Sequence, residues 1–211
     1  MNLSKSLEEN YNHIKTDFVD CSDFLIRKAK KGTRELLIML CDGLIDALQL
    51  SQMVVSPILR CDEIDIDTIK KSITNSVELN EAETFADCYY YVMSGFAVVL
   101  VDGEDKALAF GVQSPPARSV DVPSNEQSTK APKEAFVEVL NTNKALLRKR
   151  LKTPHLKLKQ IKLASSAPMP CVIAYMDDRA DKELVSQITL ALQRSNLNTL
   201  TDFGTLVPFI D

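Results

Sequence analysis

The chain has 211 residues, 45% hydrophobic and 26% charged, which excludes global disorder and allows one or two domains with a sizeable core. Its net charge of −4 argues against a generally basic nucleic-acid coat, and six glycines leave little for phosphate-cradling loops. No apolar run approaches the ~20 residues that span a bilayer, and the opening MNLSKSLEENYNH has no apolar signal core, so a soluble, unsecreted piece is expected.

Leu3, Leu7, Tyr11, Ile14 and Phe18 recur at helical spacing and predict an amphipathic helix. Residues 23–29 and 35–41 flank Lys30-Lys-Gly-Thr33 and predict a β-hairpin with a buried second strand. Asp42 stands where it can cap a helix starting at 44, which Pro57 ends or breaks. The acidic stretch Cys61–Thr68 leads into a short helix over 68–74. Another helix is expected over 81–94, with Phe85, Cys88, Tyr89 and Val92 on one face and Gly95 as its stop. Phe96–Asp102 and Lys106–Val112 predict a second hairpin around Asp102-Gly103.

Residues 114–130 are irregular and polar, with Pro115, Pro116, Pro123 and Ser124, and are read as a linker. Pro132 then suits the first turn of a helix over 133–151, whose apolar face is Phe136, Val139, Leu140, Leu147 and Leu151. Leu156, Leu158, Ile161 and Leu163 alternate with one slip, which predicts a strand bulged near Gln160. Cys171–Met176 reads as a buried strand and Lys182–Ser195 as a helix with Leu184, Ile188, Ala191 and Leu192 inward. An extended segment over 196–201 and a last helix from Leu206 follow. Ile38–Asp46 and Ile173–Asp181 share a pattern of apolar strand, Asp, and Asp four residues later; two α/β units of related construction would explain it, and so, by the favoured reading, would capping of the following helices alone.

The residues offer little covalent chemistry. The five cysteines form no CxxC pair and read as small buried hydrophobes, and His13 and His155 as surface or structural residues. Cys61–Asp67 has the acid density of a calcium loop but lacks its glycine and its final glutamate. No GxSxG, GxxxxGK, GxGxxG or HExxH occurs, so no catalytic residue, metal site or cofactor is expected. Charge is uneven: residues 1–129 carry −9, residues 130–162 carry +8 and the remainder −3. The basic block suits a solvated face, an acidic partner, anionic lipid or nucleic acid. Residues 137–162 lack the interleaved aromatics that accompany nucleic-acid binding, so no nucleic acid is expected.

Within that block the sequence resembles the signature of the GerA family, the A subunits of bacterial spore germinant receptors. Glu126, Lys130, Pro132, Glu134, Phe136, Glu138, Asn143, Arg148 and Arg150 fall on its positions. Ala131 and Ala135 stand where the family usually has glycine, and Lys130 where it often has arginine. Further similarity lies in Asp23-Phe-Leu-Ile-Arg27, Leu40–Asp46, Ser94-Gly95, Val101-Asp-Gly103, Arg118–Pro123 and Val172–Tyr175.

The resemblance implies an N-terminal cytosolic domain, with membrane segments lying outside this chain. It further implies the spore inner membrane, B and C subunits and other A subunits as partners, and a response to small nutrients such as amino acids or sugars. The expected fold is mixed α/β, with a subdomain over 1–113, a linker over 114–130 and a subdomain over 131–211. The expected function is non-enzymatic: receptor assembly and signal relay, with direct nutrient binding in a cleft as the alternative and nucleic-acid or anionic-lipid binding through the basic segment 130–162 as a second. Arg118, Glu126, Lys130, Glu134, Asn143, Arg148 and Arg150 are the candidate polar framework for a ligand or for the joint between subdomains.

Overall fold

Two apolar strands, Arg34–Cys41 (β2) and Phe96–Val101 (β4), are buried along nearly their whole length. A strand with no polar face needs cover on both sides, and this requirement organises most of the molecule. The structure, a computed structural model, describes residues 1–61, 63–73, 78–114, 135–164, 166–195, 197–198 and 203–210. Those residues fall into two units. One comprises Met1–Asp17 with Asp23–Thr153, the other Phe18–Ser22 with Pro154–Asp211.

In the first unit, Phe24–Lys31 (β1), Leu79–Ala82 (β3) and Ala107–Gly111 (β5) join β2 and β4 in an antiparallel sheet of order β1-β2-β4-β5-β3. One face presents Leu36, Ile38, Val99 and Phe110 to Val54, Ile58, Ile69 and Ile73. These last come from a helical run comprising Ala47–Gln49 (α2), a π-helical Leu50–Val55 and Ser56–Arg60 (α3), and from Ile66–Ile73 (α4). The opposite face is covered by Leu7–Asp17 (α1) and Phe85–Met93 (α5). The two covering helices are tied together by Tyr89, whose hydroxyl donates to Asp17 at 2.6 Å.

Both predicted hairpins form, but the helix expected over 81–94 gives up its start to strand β3. Thr84 and Asp87 then cap α5 reciprocally. Pro57 neither ends nor breaks the run from Ala47 to Arg60. It stands at the start of α3, directly after the π-helical turn Leu50–Val55.

The second unit is smaller. Leu156–Leu163 (β6) pairs antiparallel with Met169–Met176 (β7), and Lys182–Arg194 (α7) packs on them through Ile161, Leu163, Ile188 and Leu192. The register runs unbroken through Gln160, so there is no bulge. Leu156 and Leu158 therefore lie on one face of the strand and Ile161 and Leu163 on the other. Leu184, expected inward, is exposed, and two short 3₁₀ turns, Phe203–Thr205 and Val207–Phe209, replace the last helix. Most of the extended segment expected over 196–201 lies outside the described residues.

The early segment Phe18–Ser22 belongs to this unit because it lines the free edge of β6. Cys21 bridges Leu158 in parallel, Leu158 N–H donates to Asp20 C=O at 3.0 Å, and Ser22 N–H donates to Leu158 C=O at 3.1 Å. Asp20 makes the bend at φ +59°, a conformation that aspartate tolerates better than most residues. Its carboxylate accepts from Tyr175 at 3.0 Å.

The mixed α/β class is as expected, with helices and antiparallel sheets in each unit. The division differs from the expected boundaries at 113 and 131. Residues 135–153 belong with the first unit and 18–22 with the second. Of the linker expected over 114–130, residues 115–130 lie outside the described residues.

Candidate functional site

The helix predicted over 133–151 forms as Leu140–Arg150 (α6). Its expected apolar face is a misreading. Phe136, Val139 and Leu151 are exposed, and the helix buries Lys144, Ala145, Leu146 and Arg148 instead. Two buried cations four residues apart on one helical face require anionic or carbonyl partners nearby.

Arg148 has them. Its side chain is fully buried, and its guanidinium grips the equally buried Asp23 with two bonds, Nε to Oδ2 at 2.7 Å and Nη2 to Oδ1 at 3.0 Å. Nη1 donates to the Thr153 carbonyl at 2.8 Å and so fixes the chain leaving the helix. This fork-on-carboxylate geometry is the strongest form of charged hydrogen bonding and is specific to arginine.

Asp23 immediately precedes β1, and its carbonyl accepts the Asp42 N–H at 2.6 Å, which joins the start of β1 to the loop after β2. Asp42, expected to cap the next helix, does not. Asp46 does so instead, accepting from Leu48 and Gln49 N–H. The Asp42 carboxylate faces α6 and accepts from Asn141 at 3.4 Å.

Gly43, at φ +80°, lets the helix approach. A Cβ there would stand 3.2 Å from both Ala145 Cβ and the Asn141 carbonyl. Asn143 explains the amides inside α6. Val139 at the N-cap offers no side-chain oxygen, and Asn143 clasps the residue two before it, accepting from Val137 N–H at 2.8 Å and donating to Val137 C=O at 2.6 Å.

Three segments distant in sequence thus meet at one buried polar joint: Asp23, Asp42-Gly43 and Asn141–Arg148. Of the candidate framework, Asn143 and Arg148 belong to it. Arg150 is exposed at the helix end, and Arg118, Glu126, Lys130 and Glu134 lie outside the described residues. Asp23 and Asn141 were not among the candidate site residues, although Asp23 opens the quoted motif Asp23-Phe-Leu-Ile-Arg27 and Asn141, like Asn143, is an amide inside a helix, where amides are poor helix formers. The joint's charged and polar groups bond to one another and to backbone, as in a clamp.

In the second unit, His155 Nδ1 lies 2.8 Å and Lys157 Nζ 3.2 Å from the Asp177 carboxylate. Partial burial pushes the Asp177 carboxyl up. The His155 and Lys157 hydrogen bonds and charges outweigh this and hold it below the ordinary carboxylate value. His155, Asp177 and Asp178 offer three ligand atoms within 4.8 Å of one another, the group among the described residues that could hold a metal ion. Lys157 already occupies one Asp177 oxygen, which favours an ion-pair cluster. Asp181, the counterpart of Asp46 in the repeated pattern, caps α7 by accepting from Glu183 N–H at 2.8 Å.

Comparison with known proteins gives this joint a family setting. The model of the family described as Bacillus/Clostridium GerA spore germination protein matches residues 12–211. The chain belongs to the GerA family. Its GerA relatives include spore germination protein B1 of Bacillus subtilis (strain 168), 29% identical over 100% of this chain and 45% of that protein. Spore germination protein KA of the same organism is 24% identical over 99% of this chain and 40% of its own length. The GerA chain described here therefore spans under half the length of these relatives. Its fold is that of the N-terminal domain of the A subunit of the Bacillus megaterium spore germinant receptor GerK3. That crystal structure superposes with a TM-score of 0.72 at 24% identity, covering 96% of this chain and 83% of the other. Among the described residues, no helix is long and apolar enough to cross a membrane.

Proposed function

We propose that this chain is the N-terminal, cytosolic part of a germinant receptor A subunit at the spore inner membrane. It serves nutrient-triggered germination by assembling with B and C subunits and other A subunits and by relaying their conformational state. It carries out no covalent chemistry of its own. The observation that carries this reading is the buried Asp23–Arg148 joint. The described framework residues Asn143 and Arg148 spend their hydrogen bonds on the protein itself. Polar groups used this way set the rigidity of a scaffold, whereas a binding site presents them to its ligand. Membership of a spore-germination family and a fold shared with a receptor A-subunit domain support the same reading.

The test replaces Arg148 by Met in the full-length gene, in spores lacking other receptors. Optical-density loss on nutrient addition and co-purification of the B and C subunits are then measured. The expected result is loss of both, with Arg148→Lys intermediate. Unchanged germination and assembly would reject the reading. Saturable binding of amino acids or sugars to the isolated chain would establish the direct-binding alternative instead.

A further inference from the structure

Beside the joint, within the first unit, lies a cavity of about 210 Å³. Three element ends build it at one end of the sheet: Leu44 after β2, Met93-Ser94 at the end of α5, and Gln113-Ser114 after β5. Lys149 and Lys152 close it from the end of α6. The frame is fixed. Ser114 N–H donates to Leu44 C=O at 2.9 Å, and Gly95, at φ +88°, packs so closely that a Cβ would stand 2.9 Å from that same carbonyl.

The cavity's charge is uncompensated. Among the described residues no carboxylate lines it, and neither Lys149 nor Lys152 has an acidic partner. The neighbouring Arg148 is already neutralised by Asp23. Lys152 rests on Ser94 Oγ at 3.0 Å and over the Tyr90 ring at 5.5 Å, contacts that hold its ammonium in place without cancelling its charge. The ends of α5 and α6 also face this region. Their last carbonyls are bonded by Ser94, Gly95 and Leu151 N–H, and each helix end carries only about half a unit charge, so two full ammonium charges dominate.

We infer that this cavity is a binding site for a phosphate group. Two lysine point charges match the −1.5 to −2 charge of a phosphate monoester near neutral pH. The Ser94 and Ser114 hydroxyls and the Gln113 amide supply neutral donors, and Leu44 and Met93 give an apolar floor for the ester carbons. The volume falls below the roughly 300 Å³ at which drug-sized pockets begin, so it suits a headgroup-sized moiety. A free phosphate ester and a phospholipid headgroup share this chemistry. The site goes beyond the proposed scaffold function and does not depend on it.

The test titrates the 211-residue chain with inorganic phosphate and with glycerol phosphate, following amide NMR signals, and compares it with Lys149→Gln/Lys152→Gln. In parallel, both proteins are sedimented with vesicles of anionic or of neutral phospholipid. The expected result is saturable shifts at Ser94, Gln113 and Ser114, weakened at least about tenfold in the double variant, whose dispersed spectrum shows that it folds. Lysine-dependent sedimentation with anionic vesicles identifies a headgroup as the source, and its absence a free ester. Shifts that never saturate, that chloride reproduces at equal ionic strength, or that persist in the double variant would overturn the site.

Discussion

Removing Arg148 gives the sharpest test of the joint. In Arg148→Met the Asp23 carboxylate stays where it is, 1% exposed, with its two charged hydrogen bonds gone and the Thr153 carbonyl without that donor. Stripping one partner from a buried ion pair costs about 3–5 kcal/mol, because the survivor keeps its desolvation penalty. Against a total stability of about 5–15 kcal/mol, that is at least about a fifth of what holds the fold. For a chain of this size it corresponds to a fall in Tm of roughly 6–20 °C.

Asp23→Leu should cost a similar amount. The double variant Asp23→Leu/Arg148→Met removes both charges and should recover most of the loss, short of about 1–3 kcal/mol for the Thr153 carbonyl. Urea denaturation of the four proteins, followed by the amide signals of Val98 and Val99 in β4, reads the first unit alone. The coupling should exceed about 2 kcal/mol. Single variants within about 1 kcal/mol of the parent, or a double variant equal to the sum of the singles, would refute the account of a buried, mutually dependent pair.

Gly43→Val should destabilise the first unit by about 2–4 kcal/mol, through its positive φ and its clash with the Asn141 carbonyl, and should shift the α6 amide signals most. Melting and a spectrum unchanged from the parent would contradict the close approach. Asp181→Ala should cost the second unit about 1 kcal/mol of α7 capping, read as lost amide protection in the first turn of that helix. The Asp177 carboxyl is held below its ordinary 3.8, so its pairing with His155 and Lys157 stabilises the second unit above that value. The contribution is lost as pH falls through the lowered folded value. An acid titration should show β6 and β7 signals changing in that range, with Asp177→Asn removing the dependence, and an identical titration in the variant would disprove the assignment.

The mixed α/β class, both hairpins and the existence of most helices were legible in the sequence, because each is written in local chemistry. Apolar runs such as Leu36–Cys41 and Phe96–Val101 have only one stable environment, between two covering layers. The turns at Gly32 and Gly103 require the positive φ that glycine supplies. The family signature around Asn143, Arg148 and Arg150 was equally visible. What it does there was not: periodicity assigned Phe136, Val139 and Leu151 to the core, and the structure buries Lys144 and Arg148.

That reversal has a definite cause. A hydrophobic pattern reports which side chains avoid water on average, whereas burial of an arginine depends on whether a carboxylate waits at the right place. Asp23 lies 125 residues from Arg148, and only the packing of β1, the Asp42-Gly43 loop and α6 brings them within 2.7 Å. The excursion of Phe18–Ser22 to the edge of β6 was hidden for the same reason, since strand pairing across more than a hundred residues leaves no local trace. Short-range sterics and hydrophobicity, fixed residue by residue, determined the elements. Long-range electrostatic and backbone pairing, which exist only once the chain has folded, decided how those elements became two units and where the joint lies.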